Sequence, residues 1–109
     1  MTEATLLRIY VGEGDRVDGK PAYETIVLRA KEAGLSGATV LRGVMGYGAL
    51  GRLHTARILR LSEDLPMIVE IVDDEEKIEA FLPELDELIP EGLVTLERVR
   101  MQFYRKDSD

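Results

Sequence analysis

The stretch Met67-Ile68-Val69-Glu70-Ile71-Val72-Asp73-Asp74-Glu75-Glu76-Lys77-Ile78 passes from one hydrophobic period to another. Met67, Val69 and Ile71 alternate with Ile68, Glu70 and Val72, the period of two that marks a strand with one face on a core. Asp73 and Glu76 then stand three apart in the manner of a capping box. Beyond them Ile78, Phe81, Leu82, Leu85 and Leu88 recur at helical spacing, with Pro83 inside the stripe predicting a bend or a break because it removes one backbone hydrogen bond. The same strand-then-helix order occurs near the start. Leu7, Ile9 and Val11 alternate with Leu6, Arg8 and Tyr10. Gly12-Glu13-Gly14-Asp15 and Asp18-Gly19-Lys20 supply turn chemistry, and Pro21 suits the first position of a helix, where its missing N–H is not needed. Tyr23, Ile26, Val27, Ala30 and Ala33 form that helix's apolar stripe, and Gly34 is placed to end it.

Between these two units, residues 38–45 read as a further strand, with Val40 and Val44 on one face and Leu41 and Met45 on the other. Gly43, Gly46, Gly48 and Gly51 then make the chain too glycine-rich for a regular element, and residues 56–61 look extended again, so a long, mobile, hairpin-like loop is expected. Pro90-Glu91-Gly92 turns the chain into a last strand, where Val99, Met101 and Phe103 alternate with Arg98, Arg100 and Gln102. The order is βαββαβ: an α+β, ferredoxin-like arrangement with an antiparallel sheet and two helices on one face, expected as a single domain over residues 1–109. The other face would carry Leu6, Arg8, Tyr10, Ile68, Glu70, Val72 and Arg100. That surface is apolar enough to predict burial against other copies of the chain.

Composition narrows the partners. Fourteen Lys and Arg against 21 Asp and Glu give a net charge of -7, which repels phosphate-rich polymers, so no nucleic-acid partner is expected. The apolar runs are only a few residues long, far short of the roughly 18 a membrane span requires. With no cysteine, and a start Met1-Thr2-Glu3-Ala4-Thr5 that lacks a basic stretch and an apolar run, a cytoplasmic protein is expected.

Gly46-Tyr47-Gly48-Ala49-Leu50-Gly51 matches a dinucleotide fingerprint letter for letter. Its context does not, because no helix pattern follows the third glycine. What remains is that Gly46, Gly48 and Gly51 let backbone N–H groups approach a phosphate, with Arg52 supplying charge; the alternative is a loop that binds nothing. His54 is the only histidine, and no cysteine accompanies it, so no dedicated metal site is expected. Its loop position leaves it free to contact a ligand. Asp73, Asp74, Glu75 and Glu76 read as a helix start rather than a metal cluster. Ser36, Ser62 and Ser108 lack any nucleophile context, so no catalytic residue is assigned and the chain is not expected to be an enzyme.

Arg42-Gly43-Val44-Met45-Gly46-Tyr47-Gly48, Arg52-Leu53-His54-Thr55 and Glu70-Ile71-Val72-Asp73-Asp74 resemble the PII signalling superfamily, in which a glycine-aromatic-glycine segment opens the T-loop. The chain resembles more closely the PII-like family known as domain of unknown function 190, through Pro21-Ala22-Tyr23 and Leu96-Glu97-Arg98-Val99-Arg100 as well. The resemblance implies a signalling homotrimer with sheets packed inward and an adenine nucleotide in each cleft between subunits, and a regulatory target protein as partner. It implies backbone contacts from Gly46, Tyr47 and Gly48, and a phosphate contact from Arg100 as the first member of a basic pair. Gln102 stands at the second member, which implies phosphate affinity that is weaker or is shifted to Arg52, Arg98 or Arg105, and only Pro90-Glu91-Gly92 occupies the place of the PII phosphate loop. AMP, ADP and ATP all stay open as the ligand. A CutA-like metal-binding protein and an interaction module without small ligand are the competing readings.

Overall fold

The computed structural model describes residues 1–47, 53–55 and 64–106. Four strands form one antiparallel sheet: β1 (Thr2–Gly12), β4 (Thr39–Arg42), β7 (Pro66–Asp73) and β8 (Leu93–Met101), in the order β4-β7-β1-β8. Two small ribbons flank it, one of β2 (Arg16–Val17) with β3 (Lys20–Pro21), the other of β5 (Met45–Tyr47) with β6 (Leu53–Thr55). With helices α1 (Ala22–Glu32) and α2 (Glu75–Leu88), this is the ferredoxin-type fold expected from the two strand-then-helix units.

The alternation in β1 and β7 decides which face is covered. Leu7, Ile9, Val11, Met67, Val69 and Ile71 are buried beneath Ile26 and Ala30 of α1 and Ile78, Phe81, Leu85 and Leu88 of α2. The register places Leu7 beside Ile71 and Ile9 beside Val69, so cross-strand pairs lie on one face of the sheet. Arg29 of α1 and Glu84 of α2 join the helices at 3.1 Å across their partly exposed flanks.

Helix ends follow local chemistry. Asp18 and Gly19, at φ 50° and 80°, make the tight turn of the β2–β3 ribbon. That ribbon takes in Pro21, so α1 starts one residue later than expected, with Pro21 just outside it at φ -56° and ψ 133°. Gly34, at φ 83°, ends α1: its N–H donates to the carbonyl of Lys31 and the N–H of Leu35 to that of Ala30, a Schellman turn.

Four further expectations are corrected. The α2 cap residue is Asp74 rather than Asp73, because Asp73 is buried and its carboxylate is already engaged. It accepts from the N–H of Ser36 at 2.8 Å, the Ser36 hydroxyl at 3.0 Å and the N–H of Asp74 at 2.7 Å, pinning the segment after α1 to the start of α2. Helix α2 runs unbroken through Pro83, which lies on its exposed side, where water can serve the carbonyl that loses its donor. The strand expected over 38–45 is divided into β4 and β5. At the division the Gly43 N–H donates to the Pro66 carbonyl at 2.7 Å, and a Cβ on Gly43 would stand 2.7 Å from the Pro66 ring. Finally, β8 ends at Met101, so Phe103 falls outside it.

Candidate functional site

The expected ligand-binding residues fall on two parts of the chain. Gly46 and Tyr47 belong to β5, and His54 lies opposite Gly46 in the β5–β6 ribbon. The hairpin expected here is therefore present at its base. Gly48, Gly51 and Arg52, and the extended stretch 56–61, lie outside the described residues. Gly46 has a packing role of its own, since a Cβ there would approach the Pro66 ring to 3.1 Å. The phosphate reading did not anticipate this: proline at 66 forces the chain that crosses it to be bare at 43 and 46.

Arg98 and Arg100 sit on β8, opposite Thr5 and Glu3 of β1. By that register they share the face of Thr5, Leu7 and Ile9, the helix-covered side. The expectation that Arg100 belongs to the open face is thus corrected, because pairing with Glu3 rather than with Ala4 fixes its parity. Neither arginine forms an ion pair among the described residues, and both are exposed. The other arginines of the described sheet region are engaged. Arg42 grips Glu13 with two hydrogen bonds of 3.0 Å. Arg8 donates to Glu70 at 2.9 Å, with Glu97 3.9 Å away, and the hydrogen bond to Glu70 raises its affinity for its proton.

These two parts do not meet within one chain. β4, from which β5 continues, is one edge of the sheet and β8 is the other. Three strand spacings, roughly 14 Å, separate them. Close to β8 the structure forms an open groove at the end of α2, lined by Leu85, Asp86, Ile89, Pro90, Glu91 and Val94. Its only charged groups are carboxylates, so the Pro90-Glu91-Gly92 turn by itself offers no cation to a phosphate. Gly92 is required there for another reason: a Cβ would collide with the carbonyl oxygen of Tyr10. Among the described residues no group of three or more His, Cys, Asp or Glu is placed to hold a metal ion, and no helix is long and apolar enough to cross a membrane.

The antiparallel four-stranded sheet backed by two helices is the PII-like class of ferredoxin-type fold. The chain belongs to the DUF190 family, described as "Uncharacterized ACR", whose family pattern matches residues 4–101. It is 45% identical over 98 residues to a UPF0166 protein of Aquifex aeolicus (strain VF5), covering 90% of this chain and 92% of that one. A UPF0166 protein of Methanocaldococcus jannaschii is 44% identical over 97 residues, covering 88% and 89%. Among solved structures, the fold is similar to CPII, a nitrogen regulatory PII-like protein from Thiomonas intermedia K12, bound to ADP, AMP and bicarbonate. That likeness has a TM-score of 0.63 at 17% identity and covers 91% of this chain and 88% of CPII. The apo form of CPII is similar at a TM-score of 0.53 and 18% identity, covering 91% of each chain.

Proposed function

We propose that this protein is a cytoplasmic, non-enzymatic PII-like signalling protein that assembles as a homotrimer and binds an adenine nucleotide in the clefts between subunits. The observation that carries this reading is the separation of the candidate residues onto the two edges of the sheet. Gly46, Tyr47 and His54, on the ribbon that continues from edge strand β4, and Arg98 and Arg100, on the opposite edge strand β8, lie apart within one chain, so a shared ligand calls for a second copy. Two unpaired, exposed guanidinium groups suit the phosphates of a nucleotide, to which arginine donates in a forked geometry. The likeness to CPII, bound in its solved form to ADP and AMP, supports adenine nucleotides as the first ligands to try. Binding would bias the loop that includes Gly48, Gly51 and Arg52 toward one arrangement and so alter a surface that a target protein reads.

The test is a thermal-shift panel of AMP, ADP, ATP and divalent metal salts, followed by calorimetry. A saturable rise with an adenine nucleotide is expected. A rise with metal alone would favour the CutA-like reading, and silence throughout would favour an interaction module. Arg100→Ala is expected to weaken nucleotide binding about tenfold or more, the scale of one hydrogen bond to a charged group. Affinity equal to the parent's would remove Arg100 from the site.

A further inference from the structure

Contacts from the chain on either side of residues 43–63 converge on the turn that follows β1. The Glu13 N–H donates to the Leu65 carbonyl at 2.8 Å, and the Gly14 N–H donates to the Asp64 carboxylate at 2.7 Å. From the other side, the Arg42 guanidinium meets the Glu13 carboxylate as a fork, with Nε and Nη2 each donating at 3.0 Å. The register explains the reach: Gly12 pairs with Pro66 and Arg42 with Met67, so the fork passes β7 to join β4 to the end of β1. Asp15 holds the turn itself. Its carboxylate accepts from the Gly12 N–H at 2.9 Å and its carbonyl from the Ala22 N–H of α1 at 2.8 Å. Glycine is required at 12, where a Cβ would collide with the Asp64 carboxylate.

We propose that Glu13 and Arg42 are positioning residues for the β5–β6 ribbon. The ribbon leaves the sheet just after Arg42, through Gly43, whose N–H donates to the Pro66 carbonyl at 2.7 Å. Gly46 then lies close against the Pro66 ring. Pro66 follows Leu65, the residue whose carbonyl the Glu13 N–H holds. The foot of the ribbon and the proline beneath it are therefore both tied to Glu13, the first through its side chain and the second through its backbone. A two-pronged, charge-assisted contact fixes orientation as well as distance. The pair is partly in water, the Arg42 side chain 54% and that of Glu13 26% exposed, so salt weakens it. While the pair is closed, the backbone of Gly46 and Tyr47 keeps one place. When it opens, that backbone samples others, and the fraction competent for a ligand falls. This last step rests on the nucleotide reading above; the positioning of the ribbon does not.

Glu13→Gln and Arg42→Gln are made singly and together, and amide hydrogen exchange is followed at Gly43 and through Met45–Tyr47 with no nucleotide present. Exchange about threefold faster or more is expected in each single variant, the scale of a partly exposed forked pair. The double variant should gain nothing further, because either single change already opens the pair. Added salt should speed exchange in the parent and leave the variants unmoved. Exchange equal to the parent's in both single variants would overturn the proposal. Gains that multiply in the double variant, or a salt response that the variants keep in full, would do the same, since the two residues would then act apart or without their charges. AMP, ADP and ATP are then titrated by calorimetry, and affinity is expected to fall by the same factor as exchange rises. A parent that binds no nucleotide would sink the nucleotide reading and leave the positioning of the ribbon standing on exchange alone. A parent that binds, with variants that loosen the ribbon yet bind equally well, would remove Glu13 and Arg42 from the ligand's support.

Discussion

The two central strands and the edge strand β8 are built from similar proportions of apolar residues, yet they meet opposite fates. In β7 every second residue is buried, and in β1 Leu7, Ile9 and Val11 are buried in turn. In β8 none is, although Leu93, Val94, Leu96 and Val99 are as apolar as their counterparts. The helices cover the middle of the sheet and leave its rim, so the same side chains that build the core at β1 and β7 remain available for association at β8. Period-two patterning reports the capacity of a face to be buried; position in the sheet determines whether this chain alone buries it.

The largest effect that tests this contrast lies in the core. Phe81, 1% exposed, fills the space between α2 and the sheet, and Phe81→Ala is expected to cost about 3–5 kcal/mol of folding stability by denaturant titration, from lost burial and the cavity left behind. A cost below about 1 kcal/mol would mean the helix-covered face is packed far less tightly than its burial indicates.

Asp73 comes next. Burial pushes its carboxyl up, but hydrogen bonds from the Asp74 N–H, the Ser36 N–H and the Ser36 hydroxyl, with the Lys77 charge, more than offset this and leave its pKa lowered. A carboxyl whose folded pKa is lowered contributes stability above its unfolded pKa and loses it as pH falls through the folded value. Asp73→Ala is therefore expected to cost about 1–3 kcal/mol near neutral pH, with the difference from the parent shrinking in acid below the ordinary aspartate range. A gap that stays constant down to strong acid would show that the cost is one of packing, not of charge.

The smallest effect belongs to the edge. Leu96→Ala is expected to change the folding stability of a single chain by no more than about 0.5 kcal/mol, since the side chain is already half in water. Measured as dependence of melting temperature on protein concentration, the same variant should lose whatever assembly contributes. A large loss in dilute solution would place Leu96 in the core and erase the contrast between β8 and the central strands.

Much of the architecture was legible because its signals are local. The alternation at Leu7, Ile9 and Val11, the helical stripe ending in Leu88 and the stop at Gly34 each depend on residues within a turn or two of one another. Three of the misreadings share one cause, contacts between residues distant in the chain. Asp73 looked like a cap until Ser36, 37 positions away, claimed its carboxylate. Residues 38–45 looked like one strand until Pro66 stood against Gly43. Arg100 changed face because its neighbour across the ladder is Glu3.

By itself the sequence determined the order of strands and helices and which residues of β1, β7, α1 and α2 turn inward, since those follow from hydrophobic period and turn chemistry carried in short stretches. It also determined the family, through strings that span most of the chain. Only the tertiary structure decided that the ribbon with Gly46 and Tyr47 continues from one edge strand of the sheet, β4, and that Arg98 and Arg100 lie on the other, β8. Strand order is a property of long-range pairing, in which β1 takes β7 and β8 as partners and leaves β4 and β8 outermost, and no periodicity within a strand encodes its neighbours.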